Sequence, residues 1–243
     1  MSYRGCRPKK FILKGTPEEL EGFTAKKLAL IAAHYTQIPF VCETATHKEC
    51  EQLSNLAKEL VLLVVFSDSG LDHDKIITVA TSRAMTKIIA SATKSREIAI
   101  QANQTALAND DLLNEAKTDG WLSFIWNSLD VPLQAASLSL EDETRWEAEK
   151  EAIEEDVNLA LKKIERHLSK QKLHQNWKLC LVSTNRDDSL REAYSLADVS
   201  LAITLHLMID KGIAASALSR EENPHLAGWK QSIHETMGLS FTI

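Results

Sequence analysis

Proline and glycine are scarce in this chain of 243 residues, at 5 and 8, and no proline falls between Pro39 and Pro132. That composition excludes a collagenous or low-complexity protein. The cysteines Cys6, Cys42, Cys50 and Cys180 form no CxxC pair and no framework spacing, so they read as reduced thiols of a cytosolic fold. Long apolar runs are also missing. The longest, Leu60 to Phe66, falls well short of the roughly 18 to 20 residues a bilayer needs, and the start MSYRGCRPKK lacks an apolar signal core. A cytoplasmic protein is the expectation. A Gly-rich phosphate loop is absent, and a net charge of −6 with a pI near 5.8 leaves no overall basic field for coating nucleic acid.

What remains is a chain 44% hydrophobic and 26% charged, long enough for one large core or two adjoining ones. From Lys10 onward, strand and helix signals alternate. FILKG is a short apolar run ending at Gly15. Thr16-Pro17-Glu18-Glu19 then places a hydroxyl cap, a proline at the first helical position and a glutamate at the third, a capping box. A helix is expected from Thr16, or from Thr24 because Gly22 weakens the first turns. Phe40 to Thr44 reads as a strand, and residues 48–59 place Leu53, Leu56 and Leu60 on one helical face. LVLLVVF suits a strand covered on both faces. A turn at Asp68-Ser69-Gly70, a strand at Ile76 to Ala80 and a helix from Ser82 to Ser91 complete a β-α-β-α-β-β-α order, the thioredoxin-like arrangement.

The polar, alanine-rich stretch 93–110 marks a boundary, giving a thioredoxin-like domain at 1–95, a linker at 96–105 and an all-helical domain at 106–243. Trp121, Leu122, Ile125 and Leu129 form one helical face that should end before Pro132, and Ile153, Val157, Leu161, Ile164 and Leu168 form another. The latter helix is acidic at its start and basic at its end, which complements its macrodipole. Tyr194-Ser195-Leu196-Ala197-Asp198-Val199 is a capping box before the apolar helix DVSLAITLHLMI: Ser195 accepts from the first turn, Asp198 reaches back, and Tyr194 can staple onto Val199. Its role is structural.

This α/β thioredoxin-like domain followed by an all-α domain resembles the glutathione transferase fold. The Ser195 to Asp198 box carries the resemblance, together with Thr81-Ser82-Arg83-Ala84-Met85 and Asn223-Pro224-His225-Leu226 through Trp229. In that family an acidic residue and a serine at the second segment receive the glutathione backbone; here Ser82 is a vestigial glutathione position and Thr81 replaces the carboxylate. Two further segments, Leu28-Ala29-Leu30-Ile31-Ala32-Ala33-His34-Tyr35 and Trp121-Leu122-Ser123-Phe124 leading to Val131-Pro132, resemble the elongation factor 1 gamma subunit. The resemblance extends to the transferase-like domains of aminoacyl-tRNA synthetases and their scaffold proteins.

The enzymatic members of the family need a Tyr, Ser or Cys at the junction of the first strand and helix to stabilise a thiolate. Thr16 is the candidate here, but its hydroxyl is committed as a cap; Cys6 and Tyr3 precede the strand and would have to fold back. The family's cis-proline before the third strand would fall near Lys58 to Val61, where this chain has none, and a non-proline cis bond costs about 2.5 to 4 kcal/mol. The expected function is therefore non-catalytic: a protein-interaction module, without a cofactor, assembling translation components such as the elongation factor 1 or multi-synthetase complex. Its partners would be other transferase-like domains or translation factors, met as a homo- or heterodimer through helical faces. A divergent glutathione transferase acting on electrophiles or disulfides is the alternative. Cys42, His47 and Cys50 lack a fourth ligand for a metal site. The basic start, Arg4, Arg7, Lys9 and Lys10, reads as a solvated, frayed terminus, with a weak RNA contact as its functional alternative.

Overall fold

The alternating signals of the first ninety or so residues are realised as β1 (Pro8–Gly15), α1 (Pro17–Glu21), α2 (Phe23–Tyr35), β2 (Phe40–Thr44), α3 (His47–Leu53), β3 (Val61–Phe66), β4 (Lys75–Val79) and α4 (Ser82–Ser91). The structure, a computed structural model, describes residues 8–36, 38–55, 60–66, 74–92, 112–139, 143–171, 180–182, 194–213 and 218–237. The chain divides into two compact units, Met1–Glu97 and Ile98–Ile243. Cys6, Arg4, Arg7, the turn at residues 68–70 and the linker at 96–105 lie outside the described residues.

The sheet has the order β2-β1-β3-β4, with β1 parallel to β2 and β3 antiparallel to both β1 and β4. This is the thioredoxin-like arrangement. The central place of β3 accounts for its continuous apolar run. Val61, Leu63 and Val65 join Ile12, Ala45 and Cys50 in a core on one face, while the alternate residues Leu62 and Val64 are buried on the other. Phe11 and Leu13 point to that second face, and α2 and α4, which pack on each other, supply the buried Leu28, Ile31, Met85 and Ile89.

Three local expectations are corrected. The helix begun at Thr16 does not run through Gly22; that residue is extended (φ −68°, ψ 167°), closing α1 and opening α2. Glycine is the residue with most backbone freedom to lose in a helix, so the break falls there. Leu60 is not on a helical face with Leu53, because α3 stops at Leu53 with Ser54 extended, and Leu60 is the buried lead into β3. The basic start is not wholly a frayed terminus either. Lys9 and Lys10 belong to β1, where Lys10 pairs with Val65 and Lys9 meets Asp74 at 3.4 Å.

The second unit comprises α5 (Leu112–Ile125), α6 (Val131–Ser139), α7 (Glu143–Gln171), α8 (Leu196–Asp210) and α9 (Pro224–Met237). Pro132 does not stop the helix before it. A π-helical turn at Trp126–Asp130 joins α5 to α6, with the Val131 N–H reaching back five residues to the Trp126 carbonyl. Pro132 has no N–H and its ring crowds the carbonyl four residues back, so the widened turn passes the chain around it. Asp130, in that turn, is buried and accepts from Thr204 Oγ1 of α8 at 2.8 Å. On α7 the expected face, Ile153, Val157, Leu161, Ile164 and Leu168, is buried. Its Glu165 accepts from the backbone N–H groups of His225 (3.2 Å) and Leu226 (2.7 Å), holding the first turn of α9 from a neighbouring helix.

Thr204→Val removes the hydroxyl donor to a buried carboxylate while keeping the side chain's shape. It should lower stability by about 1 to 3 kcal/mol in urea denaturation; an unchanged midpoint would show that Asp130 does not depend on this bond.

Candidate functional site

Strands β1, β2 and β4 run in the same direction and end at one end of the sheet, so α1, α3 and α4 all start there. In open α/β sheets this is the end at which ligands are bound. Each helix is capped by a threonine. Thr16, Thr46 and Thr81 accept from the backbone N–H of Glu19 (3.4 Å), Glu49 (3.3 Å) and Ala84 (3.3 Å) respectively. The first two are complete capping boxes, with Glu19 and Glu49 each accepting from the cap's own N–H at 2.8 Å.

Thr16, the candidate thiolate-stabilising residue, therefore spends its acceptor on the helix. The neighbouring Glu18 carboxyl is held below its ordinary pKa, chiefly by backbone hydrogen bonding. Ser82 is the first residue of α4, half-buried. Thr81, at the family's acidic position, is an N-cap. The place before β3 is filled by Leu60, and the described peptide bonds are all trans. Burial raises the pKa of both Cys42 and Cys50, so neither sits as a thiolate. His47 Nδ1 lies 3.6 Å from Glu19 Oε1, and among the described residues no group of three or more His, Cys, Asp or Glu is placed to hold a metal ion.

The helical unit contains the other predicted constellation. Asp198 is completely buried at the third position of α8. Its Oδ2 accepts from Ser195 N (2.9 Å) and Ser195 Oγ (2.6 Å), and its Oδ1 from Leu181 N (2.6 Å) and Trp229 Nε1 (3.0 Å). Burial still pushes its carboxyl above the ordinary range, against these four donors. Tyr194 and Val199 are both buried, and the Tyr194 hydroxyl donates to Ser232 Oγ of α9 at 2.7 Å.

A half-buried histidine extends this network. His167 Nε2 lies 3.0 Å from the Leu181 carbonyl, an acceptor only, so that nitrogen carries the proton; the ring stands edge-on to Trp121 at 4.7 Å. Desolvation depresses its pKa, outweighing the carbonyl and the Asp198 charge. Sequence spacing identified Ser195 and Asp198 but not Leu181, which donates its N–H to Asp198, or His167 of α7, which meets the Leu181 carbonyl. Trp126 and Trp146 are half-buried, the latter with the Lys150 ammonium 5.9 Å from its ring centroid, and Trp229 is fully buried.

A thioredoxin-like unit followed by an all-helical unit is the glutathione transferase-like fold, and solved structures of that class match nearly the whole chain. Ure2p in complex with glutathione matches with a TM-score of 0.62 at 14% identity, covering 95% of this chain and 98% of that one. Glutathione S-transferases from Xanthobacter autotrophicus Py2 (TM-score 0.60, 16% identity, 93% of each chain) and Pseudomonas fluorescens Pf-5 (0.61, 14%, 92% and 94%) match similarly. At these identities the likeness is one of fold. No family model and no curated protein sequence matches the chain.

Asp198→Ala strips the acceptor from four buried donor bonds and should cost about 3 to 5 kcal/mol, read as a large loss of thermal stability. A second expectation concerns pH. The folded-state pKa of His167 lies below its unfolded value of about 6.5, so its contribution is full above that pH and is lost as pH falls from there through the depressed folded value. His206, also depressed by burial, acts in the same sense; Asp198, with its raised pKa, acts in the opposite one. Wild type should therefore lose more stability than His167→Gln on acidification below about pH 6.5. Parallel stability profiles would remove His167 from this account.

Proposed function

We propose that the chain is a non-catalytic protein-interaction module built on the transferase-like fold, assembling components of the translation apparatus. The observation that carries the non-catalytic reading is Thr16, whose hydroxyl oxygen is held on the start of α1 by the Glu19 N–H. The leucine in place of a proline before β3 and the threonine cap at position 81 support it. The partner class rests on the resemblance of residues 28–35 and 121–124 to the elongation factor 1 gamma subunit. Recognition falls to helix faces with a few apolar anchors. Leu159, 51% exposed on α7 among Glu151, Glu154, Glu155 and Lys162, is one such anchor.

A cytoplasmic location goes with this reading; among the described residues no helix is long and apolar enough to cross a membrane. The second reading, a divergent glutathione transferase, is favoured by Ser82 standing at the start of α4. The deciding experiment passes the protein over immobilised glutathione and, separately, captures its partners from lysate for mass spectrometry. The module reading expects no retention, no turnover of a generic electrophile, and enrichment of elongation factor or synthetase components that Leu159→Asp reduces several-fold while changing stability by under about 0.5 kcal/mol. Retention at millimolar glutathione with turnover would replace it by the transferase reading.

A further inference from the structure

The ligand-binding end of the sheet contains a fitted pair that no motif announces. Gly15 is the last residue of β1 and Leu60 immediately precedes β3; they face each other one step beyond the paired Lys14 and Val61. Gly15 is buried although it has no side chain, and Leu60 is 8% exposed. A Cβ placed on Gly15 would come within 2.5 Å of Leu60 Cδ2, closer than real Cβ atoms approach anything, whereas its next neighbour, Glu19 Oε2, stands farther off at 3.1 Å. The Gly15 backbone is outside the left-handed region, so conformation is not what demands glycine there. The demand comes from the space that Leu60 occupies.

That space lies at the sheet end from which α4 starts, whose dipole would otherwise offer a positive end to an anionic ligand. We propose that Leu60 is the specificity-determining residue of this crevice: its side chain, seated over Gly15, fills the place of a ligand and closes the sheet end to glutathione. The assignment rests on the reading of the chain as a module without glutathione chemistry, and adds the residue responsible. Closure is steric, a side-chain plug matched to a residue without one, and is independent of the hydroxyls already consumed as helix caps.

The test is a double-mutant cycle combined with a binding measurement. Leu60→Val removes the Cδ atoms while keeping a branched apolar residue, and serves alongside Leu60→Ala in case the larger truncation unfolds the protein. Gly15→Ala in wild type should reduce the folded-to-unfolded ratio by about tenfold or more through overpacking; in the Leu60→Val background the same change should cost less than about twofold. Equal costs in both backgrounds would overturn the plug. In calorimetric titration with glutathione, wild type should show no binding and Leu60→Val a gain of at least about tenfold in affinity. No gain in a folded Leu60→Val protein would overturn the closure even with a coupled cycle. Binding by wild type would sink the module reading instead, whatever the cycle shows, so the two failures are distinguishable.

Discussion

A carboxylate withdrawn completely from water has to be compensated in full, and Asp198 imposes that requirement on the helical unit. Its donors come from the residues before α8, from the backbone at Leu181 and from the indole of Trp229 on α9. A buried charge is costly when unpaired, so these segments cannot drift apart independently. The apolar length of α8 follows from the same condition: a helix buried from Leu196 through Leu205 has no solvent to receive its first N–H groups, so the cap must come from within.

The sheet unit solves the corresponding problem three times with a smaller residue. Thr16, Thr46 and Thr81 each close a helix start at the same sheet end with a side-chain hydroxyl. In this chain helix stability takes the Thr16 oxygen, and the neighbouring hollow at Gly15 is taken by Leu60.

Most of the fold was legible because its signals are local. Capping boxes at Thr16 and Ser195, the two-faced run of β3 and the apolar stripe of α7 each declare an element within a few residues. The misreadings came from forces between elements. Lys9 and Lys10 look like a charged tail until β3 provides partners, and Pro132 looks like a stop until a π-helical turn carries the chain past it. At the sites, Ser195 and Asp198 could be found by spacing, whereas the opposition of Gly15 and Leu60 depends on strand register across some forty-five intervening positions. Glycine in that context reads as a turn residue; only the sheet reveals it as a receptacle.

Glu165 ties the last helix of the helical unit to the longest one. Because a side chain of α7 receives the N–H groups at the start of α9, the first turn of that last helix is completed by tertiary docking as well as by its own residues. The same helix brings Trp229 to Asp198 and Ser232 to Tyr194. Its place is therefore set from two sides, by Glu165 of α7 and by Asp198 and Tyr194 at the start of α8, which makes α9 a clasp between those two helices.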